Sequence, residues 1–405
     1  METVDILIEN ANELITVKGP NKPRTKKEMS NLSIIEKGSL AIKDGVIFNI
    51  GKNLKYNSEN IIDASGKTVM PGFVDPHTHL VFAGSREFEL DWKLKGLSYM
   101  DIQKKGGGIL YTVNETRNSS QSELLKQSKI RLDNMIKHGT TTCEAKSGYG
   151  LNTETEIKIL KTIKELNNSH PVDIIPTFLG AHAFPKECSE SEYVDIIIKD
   201  MIPKIKNLAK FCDVFCEKGV FTPEQSKKIL EAGKNYGLVP KIHADEIVDT
   251  DGAALASEIG AISADHLLMS NEDGLKQMVK NGIIGVLLPG TPFSLMMKDY
   301  APARKIIDIG VPVAIATDLN PNCWIENMQF IIQLACFNMK MTPAEAITAS
   351  TFNAACAIGM NSKIGSLEKG KQADIILLNC PNHKFIPYHY GVNLVETVIK
   401  KGIII

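Results

Sequence analysis

Eight short runs rich in β-branched and apolar residues, alternating with segments of helical spacing, fill the middle of this chain and constrain its fold more than any other feature. The runs are MPGFVDPHTHL, TTTCEAKSGY, DIIPTFLGAH, CDVFCE, VPKIHADE, AISADHL, IIGVLLPG and VPVAIATDLN. Amphipathic stretches follow them, among them TETEIKILKTIKELNN, PEQSKKILEAGKNYG, NEDGLKQMVKNG and TPAEAITASTFNAACAIG. Such alternation argues for parallel strands joined by helical crossovers, and eight βα units predict an α/β chain folded as a (β/α)8 barrel over residues 67–361. No shorter repeat or low-complexity tract competes with that expectation.

The flanks, 1–66 and 362–405, read differently. VDILIENANELITV, SLAIKDGVIFNIG and IIDASGKTVM at one end, and GSLEKGKQADIILLNC and LVETVIKKGIII at the other, have the short alternating runs and turn signals of strands. The lysine-rich KGPNKPRTKKEMSN, 18–31, is expected to be a solvated loop or hairpin tip.

Composition narrows the partners. Lys and Arg (46) nearly cancel Asp and Glu (47), so no global field draws the chain to nucleic acid or an anionic membrane, and a small-molecule substrate is expected. The N-terminus lacks a signal peptide's basic start and unbroken apolar stretch, and no apolar run approaches the roughly 20 residues of a membrane span. A soluble, cytoplasmic protein is the expectation. Eight cysteines without a CxxC pair fit reduced thiols, and none is assigned a catalytic role.

In a barrel of this kind the chemistry sits at the C-terminal ends of the strands. Five of the nine histidines fall there: His77 and His79 on the first strand, His182 on the third, His243 on the fifth and His266 on the sixth. The eighth ends in Asp318. Side chains at i and i+2 of a strand share a side, so His77 and His79 can present two imidazoles to one ion. A third imidazole and a carboxylate from other strands would complete a shell with one position open for water, the pattern of a catalytic site. Such an ion lowers the pKa of its water to about 7 and supplies hydroxide at neutral pH, so the site reads as hydrolytic. Taken singly, a lone histidine is an ordinary satisfied polar residue and a strand-terminal Asp can simply cap a helix. Together, PGFVDPHTHL, HADE, ADH and ATDLNP form a pattern those readings do not explain.

These residues carry a resemblance. PGFVDPHTHL after a small β region, with GSLEKGKQADIILL near the C-terminus, resembles the amidohydrolase superfamily, which implies a composite β-sandwich built from both chain ends beside the barrel. HTHLVFAGSRE, KKGGGILYTVNETR, EAKSGYGL, GAHAFP and IHADE are similar to the imidazolonepropionase family, over residues from about 60 to 380. The resemblance implies hydrolysis of the cyclic amide of 4-imidazolone-5-propanoate to N-formimidoyl-L-glutamate in histidine degradation, by attack of hydroxide generated on the ion. It implies one zinc or iron ion per subunit held by His77, His79, His243 and Asp318, and a homodimer. Arg86, Tyr99, Tyr149, His182 and Glu246 match substrate-binding positions, and His266 the catalytic histidine.

Residue chemistry agrees. An arginine offers a planar fork for the propionate, and a tyrosine hydroxyl another donor. Glu246, three residues beyond His243, can accept hydrogen bonds from ring N–H groups. Asp318 is expected to relay the water proton to the departing nitrogen, with protonated His266 stabilising the oxyanion and Glu246 sharing the proton traffic. One departure concerns the eighth-strand loop, where the family has DxNPG and then a small hydroxyl residue, and this chain has Asp318, Leu319, Asn320, Pro321, Asn322 and Cys323. Asn320 is expected to keep its amide for the product's polar end. Asn322 is acceptable at positive φ and would contact substrate through its backbone, and Cys323 is a weaker donor in a substrate-contact position.

Two further features stay open: Glu217 at the end of the fourth strand could hold a second ion, and Gly106–Gly108 reads as a loop near the barrel mouth or a plain hinge. The rivals are another cyclic-amide hydrolase or a nucleobase deaminase, for which Arg86 would have no carboxylate to bind, and a catalytically dead scaffold, against which the intact His77, His79, His243, His266 and Asp318 argue.

Overall fold

The computed structural model describes residues 2–97 and 99–405, with the side chains of Tyr99, Met100 and Gln103 outside the described set. All eight expected strands form, in order around the barrel: Phe73–Asp75, Thr140–Lys146, Asp173–Ala181, Phe211–Cys216, Val239–Ala244, Ser263–His266, Ile284–Leu287 and Val313–Ile315. Each pairs in parallel with the next. The first and last meet beyond their ladders. Thr78 bridges Leu319, the Asp318 N–H donates to the His77 carbonyl at 3.2 Å, and the His79 N–H donates to the Leu319 carbonyl at 2.8 Å. Just below, the Asp75 carboxylate accepts from the backbone N–H and the hydroxyl of Thr317, at 3.1 and 2.6 Å.

The helices follow from caps and apolar spacing. Thr153–Ser169 starts where the Asn152 side chain accepts from the Thr155 N–H, and buries Ile159, Leu160, Ile163 and Leu166 on one face. Pro223–Asn235 starts with a reciprocal Thr222/Gln225 cap and a proline in its first turn. TPAEAITASTFNAACAIG, read as one helical segment, is two: Pro343–Ala349 and Phe352–Ala357. The Ser350 and Thr351 hydroxyls both bond back to the Ile347 carbonyl, competing with the helical ladder. The break frees the Ser350 carbonyl for the N–H of Val74 on the first strand. A long excursion after that strand carries Phe88–Leu94, Tyr99–Lys104 and Ile109–Asn118 before the crossover helix Gln121–Lys137.

Both chain ends join in one eight-stranded sheet, in the order Ile403–Ile404, Val395–Lys400, Ile375–Leu378, Thr68–Pro71, Ile6–Ile15, Ile34–Lys43 and Val46–Lys52, with Asn60–Asp63 also on Ile6–Ile15. Alternate residues, among them Ile6, Ile8, Leu40, Ile42, Val69, Ile375, Leu377 and Ile399, make its own core. Thr68–Pro71 runs straight into the first barrel strand, so the sheet fixes where the barrel starts. Lys400 links the two parts, donating to Asp374 at 2.6 Å and to Asp173 at the base of the third barrel strand at 2.8 Å.

The stretch 18–31 is mostly solvent-exposed, as expected, and is pinned to the barrel at two residues: Met29 is buried, and the Arg24 guanidinium lies over Phe352 at 4.3 Å. Arg24 exchanges backbone hydrogen bonds with the Asn353 side chain, 2.7 and 2.9 Å. All eight cysteines are free thiols, and no helix among the described residues is long and apolar enough to cross a membrane.

Candidate metal centre and substrate pocket

His77 and His79 leave the first strand on the same side, as their spacing requires. Donor atoms of His77, His79 and His243 all lie within 4.8 Å of one another, and all three side chains are buried. His77 Nε2 and His79 Nε2 sit 3.6 and 3.5 Å from Asp318 Oδ1. His77 Nε2 and His243 Nε2 have no hydrogen-bond partner. Buried polar nitrogens are rarely left so, and their grouping with His79 beside a carboxylate oxygen that faces His77 and His79 fits a cation. Burial first, then Lys146 and His243, holds His77 well below the usual imidazole range; burial, then His182 and His243, does the same for His79. Neutral imidazole is the ligating form. Asp318 takes a left-handed backbone, φ 52°, and its Oδ2 accepts the Thr291 hydroxyl at 2.5 Å. Burial raises the Asp318 carboxyl while that hydroxyl pulls the other way.

Beneath these ligands lies a layer that the sequence reading missed. His77 Nδ1 donates to Asp265 Oδ2 at 2.6 Å, and His243 Nδ1 lies 3.1 Å from Asp213 Oδ2. Lys146 Nζ bonds Asp213 and Glu144 at 2.7 and 2.8 Å and stands 3.7 Å from Asp265. Lys241 adds a second ammonium, bonded to the Pro76 carbonyl at 3.1 Å. Each residue is fully buried on a barrel strand, Lys146 at the end of its own: EAK, CDVFC, PKIH, SADH. Charges there cannot reach solvent and must pair with one another, which was the available signal.

The substrate-side residues gather above. The His182 ring stacks on His79 at 4.8 Å and 16°, and its Nδ1 donates to the Gly148 carbonyl at 3.0 Å, leaving Nε2 an acceptor. Burial, then His243, pushes His182 down to about 3. Tyr149 packs at 5.2 Å from His182 and 5.6 Å from His79. Its loop turns at Gly148, φ 111°, where a Cβ would meet His182 Nδ1 at 2.8 Å. The Glu156 carboxylate accepts the N–H groups of Gly148, Gly150 and Leu151 and so fixes the loop.

His266, at φ 80°, places Nε2 3.7 Å from Glu246 Oε2. Burial, then His243 and Lys146, holds it well below its ordinary range, which favours the neutral ring. Glu246 is raised to about 8 by burial and by the Asp318 and Glu217 charges, which favours its neutral acid near pH 7.

Arg86 is buried and clamped by Glu89, with Nε and Nη2 donating at 2.7 and 2.9 Å. One edge of the fork is thus committed, and Nη1 makes no hydrogen bond among the described residues. Glu89 Oε1 also accepts the Gly108 N–H at 2.7 Å, so the triple glycine braces the arginine clamp.

The eighth-strand loop departs from expectation at Asn322 and Cys323. Asn320 braces the loop: Nδ2 donates one hydrogen to the Asp318 carbonyl, and Oδ1 accepts the N–H groups of Asn322 and Cys323 at 2.8 and 3.0 Å. Asn322 is not among the residues with positive φ, so it sits there without strain; its Oδ1 accepts from Lys93 at 2.5 Å. The Cys323 thiol is buried and turned toward the Thr317 carbonyl at 3.5 Å, which removes it as a side-chain substrate contact. Glu217 is likewise occupied, its oxygens accepting the N–H groups of Lys218 and Ile247, both at 2.8 Å, and it joins no ligand cluster among the described residues. The Tyr99 side chain lies outside the described residues.

With this geometry in hand, comparisons with known proteins are informative. Residues 68–404 match the model of the amidohydrolase family. Imidazolonepropionase from Alkaliphilus metalliredigens (strain QYMF) is 52% identical over 410 residues, 98% of this chain and 97% of the relative. The enzyme of that name from Geobacillus kaustophilus (strain HTA426) is 52% identical over 411 residues, 98% and 97% of the two chains. A zinc-bound adenosine deaminase from Xanthomonas campestris superimposes with a TM-score of 0.75 at 16% identity, covering 100% and 93% of the two chains. A 5-methylcytosine deaminase from Klebsiella pneumoniae, liganded with 5-fluorocytosine, gives 0.74 at 15%, covering 98% and 97%. At such identities the two structures speak for the fold alone.

Proposed function

The chain belongs to the amidohydrolase family and, within it, to the imidazolonepropionases, and from that premise we infer that it hydrolyses the cyclic amide of 4-imidazolone-5-propanoate to N-formimidoyl-L-glutamate in histidine degradation. The observation that carries the reading is the buried cluster of His77, His79 and His243, two of whose rings face Asp318 Oδ1, with imidazole nitrogens that have no hydrogen-bond partner.

One zinc or iron ion per subunit would be held by His77, His79, His243 and Asp318, since three imidazoles and a carboxylate suit either metal. When bound, the ion supplies a Lewis acid and makes a water acidic enough to give hydroxide near neutral pH. The chain's own residues do the rest. Arg86 receives the propionate on the Nη1 end left open by Glu89, and Tyr149 lines the same side. His182 Nε2, an acceptor, orients a ring N–H. His266, neutral, offers an N–H to the carbonyl oxygen as negative charge develops on it. Asp318 takes the proton of the attacking water and delivers it to the ring nitrogen as the C–N bond breaks. Glu246, holding a proton at rest, hydrogen-bonds the ring beside His266.

A buried arginine beside the site favours a substrate with a carboxylate over a neutral nucleobase. Loss of the imidazolone ring's ultraviolet absorbance, followed with purified protein before and after chelation, tests the reading. Turnover is expected, abolished by the chelator and restored by added zinc or iron; a protein stripped of metal that still turns over at the parental rate would refute it. The proposal extends to a homodimer in the cytoplasm. Supporting the first is a set of exposed aromatic side chains, Phe337, Tyr388 and Tyr390, and supporting the second are eight free thiols. Sedimentation of the purified chain tests the oligomer.

A further inference from the structure

Five charged side chains with no solvent exposure lie in one layer under the ligands: Glu144, Lys146, Asp213, Lys241 and Asp265. Three carboxylates against two ammonium groups leave a net charge of about −1 in the barrel interior, an arrangement that costs free energy unless something above it depends on it. Two of the carboxylates are each shared between an ammonium and a ligand ring. Asp213 Oδ2 faces Lys146 Nζ at 2.7 Å and His243 Nδ1 at 3.1 Å. Asp265 Oδ2 takes the His77 Nδ1 hydrogen at 2.6 Å and stands 3.7 Å from Lys146 Nζ. Lys146 is the group that reaches both.

We propose that Lys146 is a positioning residue for the cation site: by tethering Asp213 and Asp265 it fixes the rings of His243 and His77 so that each turns Nε2 toward one common point. At His77 the hydrogen-bonded carboxylate on Nδ1 selects the tautomer with its hydrogen there and a lone pair on Nε2. At His243 the Asp213 carboxylate stands 3.1 Å from Nδ1 without a formed hydrogen bond and acts through its charge. Groups of this kind behind a ligand set both ring orientation and metal affinity. The neighbours make the tether specific. Glu144 holds Lys146 from its own strand at 2.8 Å and is itself fixed by the Thr177 hydroxyl at 2.5 Å, while Ser263 donates to the other oxygen of Asp265 at 2.6 Å. Lys241 stands as close to Asp265 as Lys146 does, 3.8 against 3.7 Å, but it makes no ion pair with Asp213 among the described residues: its hydrogen bond goes to the Pro76 carbonyl and its other carboxylate neighbour is Glu144 at 3.6 Å.

The inference rests on the reading that these histidines hold a divalent cation, and the experiment separates the two. Apo protein is titrated with Zn²⁺ against a chromophoric chelator, and with Co²⁺ while its visible absorption is recorded, for the parent, Lys146→Met, Asp213→Asn and the double variant. The parent is expected to bind one cation; if it binds none, the metal reading fails and the proposal with it. Lys146→Met is expected to weaken binding roughly 10- to 100-fold and to change the Co²⁺ band, because the ligand angles loosen. Asp213→Asn is expected to do the same, and the double variant to lose little more than the worse single, as residues acting through one path do. If Lys146→Met does not fold, Asp213→Asn alone decides. Parental affinity and an unchanged Co²⁺ spectrum in a folded variant, with only a lower melting temperature, would overturn the proposal and leave Lys146 a structural residue.

Discussion

Thr291 is the least conspicuous residue at the site and gives the sharpest test of how Asp318 is held. Its hydroxyl donates to Asp318 Oδ2 at 2.5 Å, in a place where the carboxylate is 4% exposed and its other oxygen faces His77 and His79. Thr291→Val keeps the side-chain shape and deletes the donor, leaving a buried carboxylate oxygen without its partner. Hydrogen bonds to charged groups contribute about 1.5–3 kcal/mol, and at roughly 1.4 kcal/mol per factor of ten this corresponds to a fall in kcat of about 10- to 150-fold. The loss should appear in kcat more than in KM, because Thr291 acts on the proton-carrying carboxylate and not on the substrate. Thr291→Ser retains the donor and is expected to stay within a few-fold of the parent. The assay is the initial rate of imidazolone consumption at matched metal content. A fully metallated Thr291→Val protein with kcat within about twofold of the parent would refute the argument that this hydroxyl holds the proton relay in place.

Two further outcomes follow from contacts elsewhere. A methyl at Gly107 would lie 2.7 Å from Glu89 Oε1 and 2.9 Å from Ile102 Cγ2, so Gly107→Ala should displace the carboxylate that clamps Arg86; at a cost of about 1 kcal/mol in carboxylate binding, KM is expected to rise about fivefold with kcat nearly unchanged, and an unaltered KM would show that the clamp does not matter for substrate. At Asp173, burial raises the carboxyl, but the Lys400 charge and hydrogen bonds from Lys400, Lys401 and Gln372 win and hold it below the ordinary range. A depressed carboxylate contributes stability above its unfolded pKa, near 3.9, and loses it as pH falls through the folded value, so the contribution should fade below about pH 4. Asp173→Asn is expected to melt lower at pH 7 by roughly 1–2 kcal/mol and to lose less on further acidification; melting curves parallel to the parent from pH 7 to the acid limit would contradict this.

What the sequence made legible, and what it did not, divides along a physical line. The barrel strands and the HxH were readable because they follow fixed periods: alternation along a strand places His77 and His79 together whatever the rest of the chain does. The distal His243 and Asp318 were readable as strand-end residues within motifs. Thr291 and the layer around Lys146 were not, because their roles depend on partners that the closed barrel brings close: Asp213 to His243 across neighbouring strands, Thr291 to Asp318 across 27 residues. The eighth-strand loop shows the limit from the other side. Cys323 occupies a position where substrate contact was expected, yet the loop uses its thiol to fold itself. A residue type at a motif position says what chemistry is available; the local demand for hydrogen bonds decides whether any is left over.

The same logic explains why the ligands sit at the seam of the barrel. The first and eighth strands share no regular ladder at Phe73–Asp75 and Val313–Ile315; they are joined by Asp75 to Thr317 and, one turn higher, by the backbone bonds between His77, His79 and the segment Asp318–Leu319. Two histidine ligands and the aspartate are therefore on the very residues whose peptide groups close the barrel, with their relative positions set by hydrogen bonds of 2.8 and 3.2 Å in the main chain. A cation bound between them adds a side-chain bond across that junction, so occupancy and closure stabilise each other. A ligand set on a seam is also easily opened, and this accounts for the surrounding reinforcement: the Thr291 bond to Asp318, the Ser350 carbonyl bonded to Val74, and the Asp265 carboxylate behind His77 all restrain the one place where the sheet does not restrain itself.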